Sequence, residues 1–269
     1  MQNALERTMH FTRIIAATLC TSIVSFPAMA GQCSAQSGAR TAVLVELYTS
    51  EGCDSCPPAD RWLSSLQSQG YTPDKVVPLA LHVDYRDYIG WKDPYAKREF
   101  ATRQRRLAEL KRAKIIYTPQ VVLQGQDFRR WGTSDFGTAV EKMNRQPPGA
   151  KIGLTLDAMG RTSVEVTLSA ELLSAAERKD AAIYLAAFEN KLTSQVSAGE
   201  NRGKTLPHDY VVREWVGPIE FGADLKAKVK RTLPLLPNAN PRQSGVAAFV
   251  QNRSTGDVLQ ALMLPACAG

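Results

Sequence analysis

Histidine, cysteine and aromatic residues are all scarce in this chain. Its 269 residues include three histidines and five cysteines, and aromatic residues make up 7% of the total. A structural zinc site needs four ligands, and beyond the N-terminal segment only His82 and His208 supplement the cysteines. Zinc-finger spacing, an RNA-binding motif and a long lysine tract are also lacking, so the net charge of +7 predicts a mildly basic surface and no nucleic-acid partner.

Long apolar runs are absent beyond the first thirty residues, which excludes a later transmembrane helix. Near the N-terminus, Arg7 and Arg13 precede the apolar run Ile14 to Phe26, which ends at the small-x-small pattern Ala28-Met29-Ala30. We therefore expect a signal peptide at 1–30, a periplasmic or secreted location, and no stable membrane span after cleavage. An uncleaved anchor is the alternative, although the run is shorter than the roughly 20 residues that span a bilayer.

In an exported protein the remaining cysteines can form stable disulfides, because disulfides persist outside the cytosol. Cys33 and Cys267 lie near opposite ends of the exported chain. We expect them to form a structural disulfide, with two free or intermolecular thiols as the alternative. The other pair, Cys53 and Cys56, forms a Cys-x-x-Cys motif.

The first half of the exported chain alternates strand and helix patterns. Its predicted order is β, α, β, α, β, β, α, in the segments Thr41–Tyr48, Pro57–Leu66, Val76–Val83, Tyr95 to about Lys114, Val121–Leu123, Phe128–Trp131, and a last helix capped by Ser134. Pro147-Pro148-Gly149 then breaks the pattern. We predict an α/β domain over 31–147, with a central mixed sheet, flanking helices and one inserted helix.

Beyond the break, apolar residues recur with period two, which is typical of half-buried strands. Strands are predicted around Ile152–Leu156, Val164–Leu168, Ala181–Phe188, Tyr210–Val216, Val246–Val250 and Val258–Met263, with a turn at Met159-Gly160. Short strands at this spacing favour a smaller, mainly-β, sandwich-like domain over 150–269.

The Cys-x-x-Cys motif lies between a predicted strand and a predicted helix. Residues three apart at a helix start share a face and can meet disulfide geometry. The first sulfur faces unpaired amides and the positive end of the helix dipole, which favour the thiolate. Cys53 is therefore the predicted nucleophile, and Cys56 the residue that resolves the mixed disulfide. An inert disulfide and a metal-handling thiol pair remain as alternatives.

The chain also resembles the thioredoxin fold, through its βαβ unit with Cys53 and Cys56 before a helix and through Thr118-Pro119 before a late strand. It is further similar to an exported bacterial family, domain of unknown function 1223, in the segments Gly52–Asp60, His82–Tyr85, Gly90-Trp91, Arg103-Gln104, Tyr117–Gln120 and Asn201–Leu206. The resemblance implies a cis Pro119 that faces the dithiol, and a substrate groove formed by Thr118, Pro119 and Gln120. An ordinary trans proline at the start of a strand is the alternative.

Two further sets of residues are candidates for the site. His82 and Asp84 follow a buried strand at the sheet edge where α/β proteins place their sites, and either can move protons. The alternative is a hydrogen-bonded core histidine and a capping aspartate. The polar segment Glu200–Lys204 is a lid or ligand loop, or else a plain solvated hairpin loop.

These observations favour an exported thiol–disulfide oxidoreductase that acts on a protein or small-molecule thiol or disulfide. The reaction requires no organic cofactor and no metal. A non-catalytic binding protein with a structural Cys53–Cys56 disulfide is the first alternative. A copper-handling protein is the second, since paired thiolates near a histidine suit Cu(I).

Overall fold

The computed structural model describes residues 32–159, 163–234 and 239–267. Gly160 of the predicted turn and the predicted signal peptide at 1–30 lie outside these residues. The described chain is a mixed α/β structure with two large sheets and three α-helices, α1 Pro57–Ser65, α2 Arg98–Leu110 and α3 Ser134–Asn144. Its strands are β1 Cys33–Gln36, β2 Val43–Thr49, β3 Val76–His82, β4 Gln120–Leu123, β5 Gln126–Asp127, β6 Ala150–Met159, β7 Ser163–Leu172, β8 Ala181–Glu189, β9 Leu192–Gln195, β10 Thr205–His208, β11 Val211–Glu220, β12 Lys226–Pro234, β13 Ser244–Asn252 and β14 Val258–Pro265. Short 3₁₀ helices span Asp84–Ile89, Ala175–Glu177 and Pro241–Gln243.

The larger sheet has eight strands in the order β14-β13-β8-β11-β3-β2-β4-β5. At its centre β2 pairs with β3 in parallel and with β4 antiparallel. Every residue of β2 and β3 is buried, as expected for parallel strands covered on both faces. The limits of these two strands match the predicted ones within two residues.

The helices differ from their predicted limits at their ends. α2 begins at Arg98 rather than Tyr95, because the Asp93 carboxylate accepts the Tyr95 amide at 2.9 Å and holds a separate turn. α3 is capped by Thr133 instead of Ser134, since the Thr133 hydroxyl accepts the Asp135 amide. At the N-termini of α2 and α3, side-chain oxygens accept hydrogen bonds from backbone amides. The apolar pattern alone therefore misplaces the starts of these helices.

The smaller sheet has the order β1-β6-β7-β12. Its apolar face covers β8 and β13 of the larger sheet, and β8 and β13 present alternate residues to two cores. Phe188 and Phe249 face the core around β2, whereas Leu185 and Val250 face the smaller sheet. The smaller sheet therefore packs against the larger sheet as a second layer. The larger sheet contains strands from both sides of the predicted 147–150 boundary.

A charged pair is buried between β2 and α2. Arg103 donates to both carboxylate oxygens of Glu46, at 2.5 and 3.0 Å, and to the Gln251 side chain at 3.1 Å. The Glu46 side chain is fully buried. Three aromatic rings lie within 5.3 Å of the guanidinium carbon, those of Tyr184, Trp215 and Phe249.

Cys33 and Cys267 form a disulfide with a Cα–Cα distance of 5.6 Å. This confirms the predicted pairing. The bond joins β1, at the edge of the smaller sheet, to the chain after β14.

Removal of this disulfide is expected to lower stability, because the bond closes a loop of 234 residues in the unfolded chain. We expect the Cys33→Ser/Cys267→Ser variant to lose about 3 kcal/mol of unfolding free energy. Urea unfolding of the oxidised wild type and the variant measures this loss. An unchanged midpoint would contradict the prediction.

Candidate functional site

Cys53 and Cys56 lie in the loop that joins β2 to α1. The Cys53 amide donates to the Ser50 carbonyl at 3.1 Å, and the Cys56 amide donates to the Cys53 carbonyl at 3.2 Å. Cys56 occupies the N-cap position, and prolines fill the first turn of the helix. Prolines are tolerated there because first-turn amides have no intrahelical acceptor. The loop therefore brings both thiols into one turn at a helix start.

Both thiols are covered. Cys53 is 2% exposed and Cys56 is 0% exposed. The Cys53 sulfur lies 3.8 Å from the Thr118 carbonyl oxygen and 3.3 Å from the Ser55 hydroxyl. A substrate sulfur therefore reaches Cys53 only when the surrounding groups move aside.

The pKa values of the two thiols shift in opposite directions. A hydrogen bond from Cys56, helped by neighbouring side-chain hydrogen bonds and by the charge of Arg86, lowers the pKa of Cys53 to about 5 despite its burial. Burial, together with the nearby charges of Cys53 and Asp60, raises the pKa of Cys56 far above its usual range. At neutral pH Cys53 is thus a thiolate, the nucleophilic form, and Cys56 is a thiol.

The residues of the predicted substrate groove divide into two groups. The Thr118–Pro119 peptide bond is cis, and Thr118 lies against Cys53. Gln120 is 4% exposed, and its amide group is bound within the protein, to Gln104 at 2.7 Å and to Asp127 at 3.1 Å. The structure therefore brings Thr118 to the sulfur and directs the Gln120 side chain away from it.

The predicted proton-transfer residues, His82 and Asp84, lie in different surroundings. His82 is fully buried at the end of β3, and its Nδ1 lies 2.7 Å from Asp93 Oδ2. Burial lowers the pKa of His82, but the Asp93 carboxylate outweighs it and the net shift is upward. Asp84 starts the 3₁₀ helix Asp84–Ile89 and is half-buried. The partner of His82 is therefore Asp93, which the sequence analysis did not single out.

A buried ionic cluster around His82 lies beneath the dithiol loop. Glu51 lies 3.0 Å from His208 Nε2 and accepts from the Trp91 indole at 2.7 Å. The Glu51 amide donates to Asp93 Oδ2 at 2.8 Å, and the two imidazoles meet edge to face at 5.0 Å. Each carboxylate of these two pairs lies within hydrogen-bond distance of an imidazole, so both carboxylates have partners inside the protein.

Asp60 connects this cluster to the dithiol. Its amide donates to the Cys56 carbonyl at 3.1 Å, and burial raises the pKa of its carboxyl group. Among the described residues, Asp60 Oδ1, His82 Nε2 and His208 Nδ1 have no hydrogen-bond partner. Buried polar atoms without partners are uncommon and often mark catalytic positions.

A hairpin from the second half of the chain closes over the dithiol loop. Asn201, fully buried between β9 and β10, donates to the carbonyls of Glu51 and Cys53 at 2.8 and 2.9 Å. Glu200 accepts the Asp54 amide at 3.0 Å. The segment Glu200–Lys204 therefore lies against the dithiol loop instead of extending into solvent.

The dithiol loop lies within the part of the chain that matches a protein-family model. The model of the family described as Protein of unknown function (DUF1223) matches residues 44–251. The chain belongs to this family. The matched residues of this DUF1223 protein include the dithiol, the cis proline and the Asn201 hairpin. No curated protein matches the chain.

Two solved structures are similar to this DUF1223 protein over most of its length. The crystal structure of protein AGR_C_4864 from Agrobacterium tumefaciens is 25% identical with a TM-score of 0.61, and the match covers 87% of this chain and 98% of that one. HBP35 of Porphyromonas gingivalis is 14% identical with a TM-score of 0.64, covering 86% of this chain and 76% of that one. The second likeness is one of fold alone.

Metal-ligand clusters and membrane-spanning helices are absent from the described residues of this DUF1223 protein. No group of three or more His, Cys, Asp or Glu side chains there is arranged to hold a metal ion. Within the same residues, no helix has the length and apolar character needed to cross a bilayer.

Proposed function

We propose that the protein is an exported, thioredoxin-like thiol–disulfide oxidoreductase in which Cys53 attacks and Cys56 resolves. The observation that carries the proposal is the placement of both thiols in one turn at a helix start, with Cys53 against the Thr118 carbonyl before a cis proline. The opposite pKa shifts of the two thiols support the same division of roles.

The thioredoxin-like assignment rests on the first half of the chain. Parallel β2 and β3, antiparallel β4 and β5, and a helix that follows the dithiol support it. The basic, apolar and small-residue pattern of residues 1–30 supports export. An exported location suits a disulfide such as Cys33–Cys267, since such bonds persist outside the cytosol.

The proposed reaction begins at Cys53. Its thiolate attacks one sulfur of a substrate disulfide, the substrate S–S bond breaks, and the departing thiolate takes a proton from solvent. Cys56 then loses its proton and attacks the Cys53 sulfur, which breaks the mixed disulfide and releases the second substrate thiolate. The substrate gains two electrons, and Cys53 and Cys56 become a disulfide. The reverse sequence oxidises a substrate dithiol.

The raised pKa of Cys56 means that this thiol needs a proton acceptor. Asp60 lies one helical turn further on, and its carboxyl is buried with an elevated pKa, which brings its proton affinity closer to that of a thiol. We assign Asp60 this role, with the imidazoles of His82 and His208 as the adjoining charges.

A non-catalytic role for the dithiol is the second candidate, and the 2% exposure of Cys53 favours it. A redox titration of the Cys53–Cys56 pair separates the two. A potential above about −300 mV supports exchange, whereas a lower one is typical of structural disulfides.

The low pKa of Cys53 predicts an unusual alkylation profile. Its reaction with iodoacetamide in the reduced protein should rise with pH through a midpoint of about 5, because the thiolate is the reactive form. Cys56→Ala should raise the midpoint, since it removes the strongest hydrogen bond to the thiolate. Mass spectrometry of the alkylated peptide gives the profile. A midpoint near the ordinary thiol value of about 8.5 would overturn the assignment.

A further inference from the structure

Arg86 places a positive charge next to the attacking sulfur. It lies on the 3₁₀ helix after β3, and its Nε donates to the Thr118 hydroxyl at 2.9 Å. Thr118 is also the residue whose carbonyl meets Cys53. Arg86 as a whole is half-buried. Arg86, Thr118 and Cys53 therefore form one edge of the site.

The charge of Arg86 acts on Cys53, but among the described residues no carboxylate lies within 4.0 Å of the Arg86 guanidinium. The nearby acidic side chains accept hydrogen bonds from backbone amides. Asp87 accepts the Asp93 amide, and Glu200 accepts the Asp54 amide. Arg86 also has a side-chain hydrogen bond with Tyr88. A guanidinium carries five N–H donors, so donors remain for a carboxylate, the group that a guanidinium binds best.

Two exposed side chains with apolar surface are close in sequence to Arg86 and Thr118. Tyr88 is 81% exposed and Ile115 is 63% exposed. Exposed apolar groups near the start of a strand are suited to a polypeptide. We therefore take the bound carboxylate to belong to a polypeptide.

We propose that Arg86 is a specificity-determining residue that binds a carboxylate beside the substrate disulfide. The substrate class is an extended polypeptide segment with Asp or Glu next to one of its disulfide-bonded cysteines. This inference rests on the proposed exchange function and adds to it the charge of the preferred substrate.

Matched peptides test the proposal. Three peptides of equal length, each with an intramolecular disulfide and with Glu, Gln or Lys beside the first cysteine, are reduced by the dithiol form of the full chain. Rates are taken at about pH 8, where a thiol with a lowered pKa is thiolate in wild type and variant alike. The dithiol reduces one peptide disulfide per protein molecule, and we expect its second-order rate constant to be about tenfold higher for the Glu peptide than for Gln, and lowest for Lys. Added salt should reduce the Glu preference.

Arg86→Gln should reduce the Glu-to-Gln ratio to near one, and Arg86→Lys should retain part of it. Arg106→Gln is the matched control, because Arg106 is exposed on α2 and pairs with Glu109. This control should leave the ratio unchanged. Exchange without a Glu preference in the wild type would overturn the proposal, as would a preference that survives Arg86→Gln. Absence of exchange with all three peptides and with a neutral small disulfide would instead count against the proposed function.

Discussion

Replacement of Cys53 by serine is expected to slow disulfide exchange by at least about a thousandfold. A serine hydroxyl stays protonated at neutral pH and cannot form the mixed disulfide, whereas the pKa of Cys53 is lowered to about 5. The rate is measured with a neutral small disulfide and with a peptide disulfide. Circular dichroism of the variant checks that the fold is retained.

Cys56→Ser provides the matched control for this prediction. It keeps the attacking thiol but removes the resolving one, so a mixed disulfide at Cys53 should accumulate and be visible by mass spectrometry. Wild-type rates in Cys53→Ser, or no mixed disulfide in Cys56→Ser, would contradict the assigned roles.

Truncation of Arg103 is expected to cause a large loss of stability. Arg103→Ala would leave the fully buried Glu46 carboxylate without its cation and would remove the guanidinium from among three aromatic rings. Breaking a buried pair on one side costs about 3 to 5 kcal/mol. Urea unfolding of wild type and variant gives the change.

A double variant tests whether the stranded charge is the cause. Glu46→Leu/Arg103→Met replaces both charges with apolar groups, and it should recover much of the loss because no unpaired charge stays buried. Arg106→Ala, at an exposed position on the same helix, should change stability by less than about 0.5 kcal/mol. A double variant no more stable than Arg103→Ala would show that packing around the guanidinium matters more than the charge.

Local pattern was sufficient for the elements that surround the dithiol. β2 and β3 are mostly apolar, and α1 begins with two prolines followed by apolar residues at helical spacing, so each is readable from a short window. Strands with a weak apolar pattern or high exposure were not predicted from the sequence. β12 carries lysines along its length and is largely exposed, so it has little apolar alternation to read.

Contacts between distant segments could not be predicted from local sequence pattern. Glu51 and Asp93 lie 42 residues apart, and Glu51 and His208 lie 157 apart. Each residue alone resembles an ordinary surface or loop residue, and only the fold brings them into one buried cluster. The same is true of the larger sheet, because the nearly continuous apolar runs of β8 and β13 do not reveal which segments cover their two faces.

The Asn201 hairpin has a consequence for how the site is divided along the chain. A fragment that stopped after α3 would keep both thiols and the cis proline. Its Glu51 would have no His208, and the carbonyl of Cys53 would lose the Asn201 amide that holds it. The dithiol site is therefore not formed by the first half of the chain alone, because Asn201 and His208 come from the second half.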